Sequence, residues 1–212
     1  MKYRSETAKL LIDIKAINFN FDSPFVLTSG KKSPVYVDCR KIISFPQERK
    51  IILSYAENYF KENKIEFDLL AGGETAGIPY AAFLAERLNK PMIYIRKKQK
   101  SFGKRSQIEG RFDVNAKCIL IEDLATDGKS KEVFIEVMRE NNLVVNDTFV
   151  IFYYDIFKNK ISELNKLGIN IHYLCTWKDI LDELKNNKIL ENDKIKIIEK
   201  FLYEPDKWVN EQ

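Results

Sequence analysis

The sequence predicts an α/β fold with a mostly parallel sheet flanked by helices. Short apolar runs at residues 67–71, 92–96, 118–121, 148–154 and 169–174 alternate with stretches of helical period. Runs that are apolar on both faces belong in parallel sheets covered by helices on each side. The chain has 212 residues, 45% of them hydrophobic and 31% charged, enough to bury a core within one α/β unit.

Each element has its own local signal. Ala8, Leu11, Ile12 and Lys15 fall on helical spacing, which predicts a helix over 5–17. A strand pair follows, with arms at 25–27 and 34–38 and a turn at 29–32. Pro46 opens an amphipathic helix reaching 63, and its missing N–H is harmless in a first turn. The strand at 67–71 leads to a helix over 78–88 and a strand over 92–96. Residues 97–115 are polar and hold Gly103 and Gly110; a connection this long predicts a lid. Beyond it come the strand at 118–121, a helix over 130–140, the strand at 148–154, a helix over 158–167 and the strand at 169–174. From Trp177 the chain reads as a helical tail, two helices split near Asn186 and Asn187. With no internal repeat or boundary, residues 1–212 are expected to form one domain.

Composition excludes several classes. The 35 Lys+Arg against 31 Asp+Glu leave a net charge of +4, too small to make nucleic acid or membrane the default partner. Cys39, Cys118 and Cys175 form no CxxC pair, so neither a zinc site nor a disulfide framework is indicated. The single histidine, His172, lies in an apolar run and reads as a packed strand residue. Residues 1–6 lack a signal-peptide core, and no run nears the roughly 18 apolar residues of a membrane span, so a cytoplasmic protein is expected.

The chemistry concentrates in the stretch from Cys118 to Ser130. A buried strand delivers Glu122 and Asp123 at its carboxyl end, and Ala125, Thr126, Asp127, Gly128, Lys129 and Ser130 turn into a helix. In open parallel sheets ligands bind at that end of the strands, and a helix N-terminus offers free N–H donors to a phosphate. Carboxylates would repel a phosphate but accept hydrogen bonds from vicinal hydroxyls, so the combination points to ribose 5-phosphate. The alternative is a charge pair that merely complements a helix dipole. Gly128-Lys129-Ser130 imitates a Walker A ending, but the earlier glycine falls on Asp123. Gly72-Gly73-Glu74-Thr75-Ala76-Gly77 imitates a dinucleotide fingerprint, but its middle glycine falls on Glu74.

The acidic pair and phosphate turn resemble the signature of type I phosphoribosyltransferases. The stretches from Ser29 to Arg40, from Gly72 to Pro79 and from Arg96 to Gly103 resemble the orotate phosphoribosyltransferase branch of that family. The similarity spans about residues 20–155 and, more weakly, the tail near Trp177 and Pro205. It implies a type I phosphoribosyltransferase fold with a small N-terminal hood at about 1–45, a flexible lid at about 97–115 and a helical tail at about 177–212. It implies transfer of a phosphoribosyl group from 5-phosphoribosyl-1-pyrophosphate (PRPP) to orotate, with Mg²⁺ held mainly by substrate and water and a homodimer as the assembly. Glu122 and Asp123 would hold the ribose hydroxyls, Thr126 to Ser130 the 5′-phosphate, and Gly73 and Glu74 the pyrophosphate, with Ala125 also among the PRPP-binding residues. Arg96, Lys97 and Lys100 are the expected lid residues, with Lys100 neutralising the leaving group; with Asp123 they form the expected catalytic set. Lys32, Ser33, Val35, Tyr36, Arg40 and Thr126 would contact the base.

The sequence departs from the family pattern at Thr28, Ala76 and Phe102, where lysine, lysine and histidine occur in members. Asp127 adds a negative charge beside the phosphate turn, and Ile156 stands where an arginine often meets the orotate carboxylate. Two other readings follow: a phosphoribosyltransferase for another base, such as a purine, and a non-catalytic RNA-binding regulator of the same fold that uses the basic stretch.

Overall fold

The computed structural model describes residues 2–26, 30, 32–98, 107–126, 129–156, 163–205 and 207–208. The first helix, α1 (Lys2–Asp13), stops earlier than expected. Lys15 turns into the left-handed region at φ 56°, and the Ala16 amide closes the helix end on the Leu11 carbonyl at 2.8 Å. A short strand, β1 (Ile17–Phe19), follows, and its first residue lies at the end of the helix expected over 5–17.

The expected pairing of 25–27 with 34–38 is corrected. β2 (Phe25–Val26) pairs with β3 (Lys32–Ser33), whereas β4 (Val35–Val37) pairs antiparallel with β1. Pro34 separates the two ladders: it has no amide to donate, and its carbonyl accepts the Asn20 amide at 2.9 Å. A 3₁₀ turn over Cys39–Ser44 then delivers the chain to α2 (Pro46–Glu62).

Next come β5 (Leu69–Gly73), α3 (Gly77–Leu88), β6 (Met92–Ile95), β7 (Ile108–Glu109), β8 (Lys117–Ala125), α4 (Lys129–Glu140), β9 (Val144–Tyr153), α5 (Glu163–Lys166) and β10 (Asn170–Thr176). The central sheet runs β10-β9-β8-β5-β6-β7. All neighbours are parallel except β7, which lies antiparallel on β6. β7 falls inside the stretch read from sequence as lid. Its two residues are too few for a period-2 signal, and Ile108 is held by burial beneath the sheet edge.

The pleat divides the core into two layers. Ile119 and Ile121 of β8 face α1, α2 and α3, and Cys118 and Leu120 face Phe134, Ile135 and Met138 of α4. The tail helices α6 (Trp177–Asn186) and α7 (Asn192–Tyr203) close the first layer, with Ile180, Leu184, Ile195 and Phe201 buried. Asp179 caps α6 by accepting hydrogen bonds from the Thr176 amide and hydroxyl, at 2.8 and 2.7 Å. The Trp177 ring stands edge-on to Phe152 and Tyr154, with centroids 5.5 and 5.8 Å away. All three cysteines are buried free thiols. His172 lies on β10 between Asp147 at 2.7 Å and the Tyr59 hydroxyl at 3.3 Å, a packed strand residue. Among the described residues no helix is long and apolar enough to cross a membrane.

Candidate functional site

β5 and β8 lie side by side in parallel, with Gly72 opposite Ile121, so both strands end at the same edge of the sheet. β8 runs further than the expected 118–121 and carries Glu122 and Asp123 within its last turns of pleat. Alternation sends the two acids to opposite faces, Glu122 toward α4 and Asp123 toward the hood. Each is only 7% exposed.

Glu122 sits where two glycines leave room. A Cβ on Gly73 would lie 1.9 Å from Glu122 Oε1, and one on Gly77 would lie 2.7 Å from that oxygen and 2.2 Å from the Ile121 carbonyl. The first glycine therefore admits the carboxylate, and the second lets α3 start against β8. Glu122 Oε2 is 3.6 Å from Lys131 Nζ, whereas Oε1 is buried with no hydrogen-bond partner among the described residues. Burial pushes the Glu122 carboxyl up to about 7; Lys131 opposes this, Asp123 adds to it and Lys97 opposes it. Burial also raises Asp123, opposed by Lys131, by the Leu124 amide that donates to Oδ1 at 2.8 Å, and by Arg40.

Lys131 escaped the sequence reading. It occupies the first position of a stripe, 131, 134, 135 and 138, whose other members form α4's buried face. A lysine at such a position reads as a helix flank, although its burial beside a carboxylate is the only inexpensive way to place it there.

The other predicted residues fall into three groups. Glu74 follows β5, and its Oε2 accepts the Lys97 amide at 2.6 Å, which joins the glycine loop to the chain leaving β6. The Glu74–Thr75 peptide is cis. The Arg96 amide donates to the Gln107 carbonyl and the Arg96 carbonyl accepts the Gln107 side-chain amide; Arg96 Nη1 lies 3.9 Å from Glu109 Oε1, while its Nε is buried without a hydrogen-bond partner among the described residues. Ala125 is buried at the end of β8, its carbonyl accepting the Tyr154 amide, and Thr126 is half-buried beyond it. Lys129 and Ser130 open α4. Thr28, Lys100, Phe102, Asp127 and Gly128 lie outside the described residues, as do the side chains of Lys129 and Ser130.

In the hood, Arg40 is exposed and donates to the Tyr36 hydroxyl at 3.2 Å and to Asp38 at 3.4 Å. Lys32 is exposed. Ser33 and Val35 are fully buried, and the Ser33 hydroxyl bonds both the amide and the carbonyl of Val35. Lys32 and Arg40 are exposed and Tyr36 half-buried, whereas those two side chains are turned inward. Tyr80 of α3 donates to the Cys39 carbonyl at 2.6 Å and ties the hood to the sheet. Ile156 is buried in the first core layer. A separate cavity of about 400 Å³, lined by Phe60, Lys61, Asp68 and Lys117, lies at the amino ends of β5 and β8, the wrong end for this chemistry.

No protein-family model matches the chain. An orotate phosphoribosyltransferase of Ruegeria sp. is 45% identical over 204 residues, covering 95% of this chain and 90% of that protein. Among solved structures, orotate phosphoribosyltransferase from Aeropyrum pernix is 30% identical with a TM-score of 0.74, covering 84% of this chain and 97% of its own. Leishmania donovani UMP synthase is 27% identical with a TM-score of 0.78; 96% of this chain is covered but only 42% of that one. The α/β architecture is thus the type I phosphoribosyltransferase fold, with the buried acid pair, the glycine loop and the basic strand end gathered at one edge of the sheet. By near full-length identity and by that shared fold, the chain belongs to the orotate phosphoribosyltransferase family.

Proposed function

We propose that the protein transfers the 5-phosphoribosyl group of PRPP to orotate, giving orotidine 5′-phosphate and pyrophosphate in pyrimidine nucleotide synthesis. The observation that carries this reading is the buried Glu122–Asp123 pair at the β8 end, beside the Gly73–Gly77 loop and the Arg96–Lys97 strand end.

The reaction breaks the anomeric C–O bond to pyrophosphate and forms a C–N bond to the base. Negative charge grows on the leaving pyrophosphate and positive charge on the ribose ring. Glu122 and Asp123 accept hydrogen bonds from the ribose hydroxyls and stabilise the second charge. Lys97, Arg96 and Lys100 stabilise the first. Residues 126–130 hold the 5′-phosphate at the α4 N-terminus. Arg40, exposed beside Tyr36, would meet the orotate carboxylate, a role that Ile156, an apolar side chain in the core, cannot fill.

Mg²⁺ fits as an ion that arrives with the pyrophosphate. Among the described residues no group of three or more His, Cys, Asp or Glu could cage it, and Mg²⁺ prefers to keep waters and substrate phosphate oxygens. It would neutralise phosphate charge there. The working form is a cytoplasmic homodimer in which each lid can serve a neighbouring site.

Loss of orotate absorbance that requires protein, PRPP and Mg²⁺ together is the expected result. Turnover of adenine or hypoxanthine in place of orotate would keep the reaction class and overturn the base. Silence on every base, with salt-sensitive RNA binding, would overturn the enzyme.

Asp123→Asn removes the charge but keeps the shape. Hydrogen bonds to a charged group contribute about 1.5–3 kcal/mol, so the PRPP dissociation constant should rise by roughly 10- to 100-fold. Isothermal titration measures it. An unchanged affinity would make the carboxylate structural.

A further inference from the structure

We infer that Lys131 is a positioning residue for PRPP binding: from the buried face of α4 it favours the ionised form of Glu122, with one carboxylate oxygen held and the other presented to the ribose hydroxyls. The inference rests on the proposed role of Glu122 at the ribose.

Lys131 is 3% exposed and begins a stripe otherwise made of Phe134, Ile135 and Met138, where an apolar side chain would pack at lower cost. Its Nζ reaches Glu122 Oε2 at 3.6 Å, so the charge is matched across α4 and β8. The other oxygen, Oε1, points at Gly73 and Gly77 and finds no hydrogen-bond partner among the described residues. A buried acceptor left open at the carboxyl end of a parallel strand is suited to a donor that arrives with the ligand. An ionised carboxylate is a strong, charge-assisted acceptor at both oxygens; protonation turns one of them into a donor and weakens the other as an acceptor.

Among the described residues, few charged groups face Glu122. Lys131 comes from α4, Asp123 from β8 and Lys97 from the chain after β6, while β5 and the start of α3 offer only glycine backbone. Arg40 acts from the hood on Asp123. Burial alone pushes the Glu122 carboxyl toward its neutral form, and Lys131 is the first of the groups that oppose it. Removing that charge moves Glu122 titration further up. Near pH 7 the residue then becomes mostly protonated, so one oxygen turns donor and the charge that strengthens acceptance is lost; higher pH restores it.

The test uses the full chain with Lys131→Met, Lys131→Gln and Glu122→Gln. PRPP affinity is measured from pH 6 to 9, and the ¹³C resonance of the Glu122 carboxyl, identified by its loss in Glu122→Gln, is titrated without ligand. In Lys131→Met the midpoint should rise by about one pH unit or more. PRPP binding should weaken about tenfold at pH 7 and recover toward pH 9. Lys131→Gln, polar but uncharged, should do the same. A Glu122 midpoint equal to wild type in both variants overturns the inference, as does an affinity loss of the same factor at every pH. Glu122→Gln binding PRPP as tightly as wild type would instead remove Glu122 from the ribose, whatever its titration shows.

Discussion

Gly73→Ala is expected to lower stability and PRPP affinity together. The new methyl carbon would lie 1.9 Å from Glu122 Oε1 and 2.6 and 2.8 Å from two ring carbons of Phe134. Neither neighbour can withdraw cheaply. Phe134 is 2% exposed within the second core layer, and Glu122 is confined by Lys131 on one side and Gly77 on the other. Overpacking of a close-packed site costs about 1–3 kcal/mol. At roughly 2–4 °C per kcal/mol for a chain of this size, the melting temperature should fall by about 3–10 °C. Because relief of the clash requires Glu122 to move, the PRPP dissociation constant should rise about tenfold or more. Calorimetry and titration on one preparation measure both. A melting temperature within about 1 °C of wild type, with unchanged affinity, would show that the β5 end is looser than its packing indicates.

Lys100→Ala should act on rate and leave stability alone. The chain leaves β6 at Arg96 and rejoins the sheet edge at Gln107, and these two residues are hydrogen-bonded to each other. Lys97 is fastened at the same place through Glu74. The basic segment between those points is therefore rooted directly above the glycine loop, where the leaving pyrophosphate would lie. A group that meets charge developing in the transition state contributes about 10²–10³ in kcat, and that is the expected loss. The melting temperature is expected to stay within about 1 °C of wild type. Single-turnover kinetics separate the chemical step from PRPP binding. Wild-type kcat in this variant would remove the segment from the chemistry and leave Arg96 and Lys97 to carry the leaving group.

Much of this arrangement was legible from local signals. The apolar strands 67–71 and 92–96 emerged within a few residues of β5 and β6, and the two tail helices at the expected split, because burial on both faces and amphipathic period are properties of short windows. Glu122 and Asp123 stood out because two acids after an apolar run have few purely structural uses. The hood was harder. Strands of two or three residues have too little period to identify, and whether Val35–Val37 pairs with Phe25–Val26 or with Ile17–Phe19 depends on where Pro34 interrupts the ladder.

Residue type and spacing along single segments suffice for the parallel α/β alternation, the acidic strand end, the glycine loop and the basic stretch. Tertiary structure alone decided which partner each received. It set Glu122 against Lys131 and Asp123 toward Arg40, because the pleat assigns adjacent residues to opposite faces and the topology determines what covers each face. It buried Ser33, Val35 and Ile156, and it turned Ile108–Glu109 into an edge strand. Those outcomes arise from contacts between separate elements of the chain, where packing energy, not local propensity, selects the arrangement.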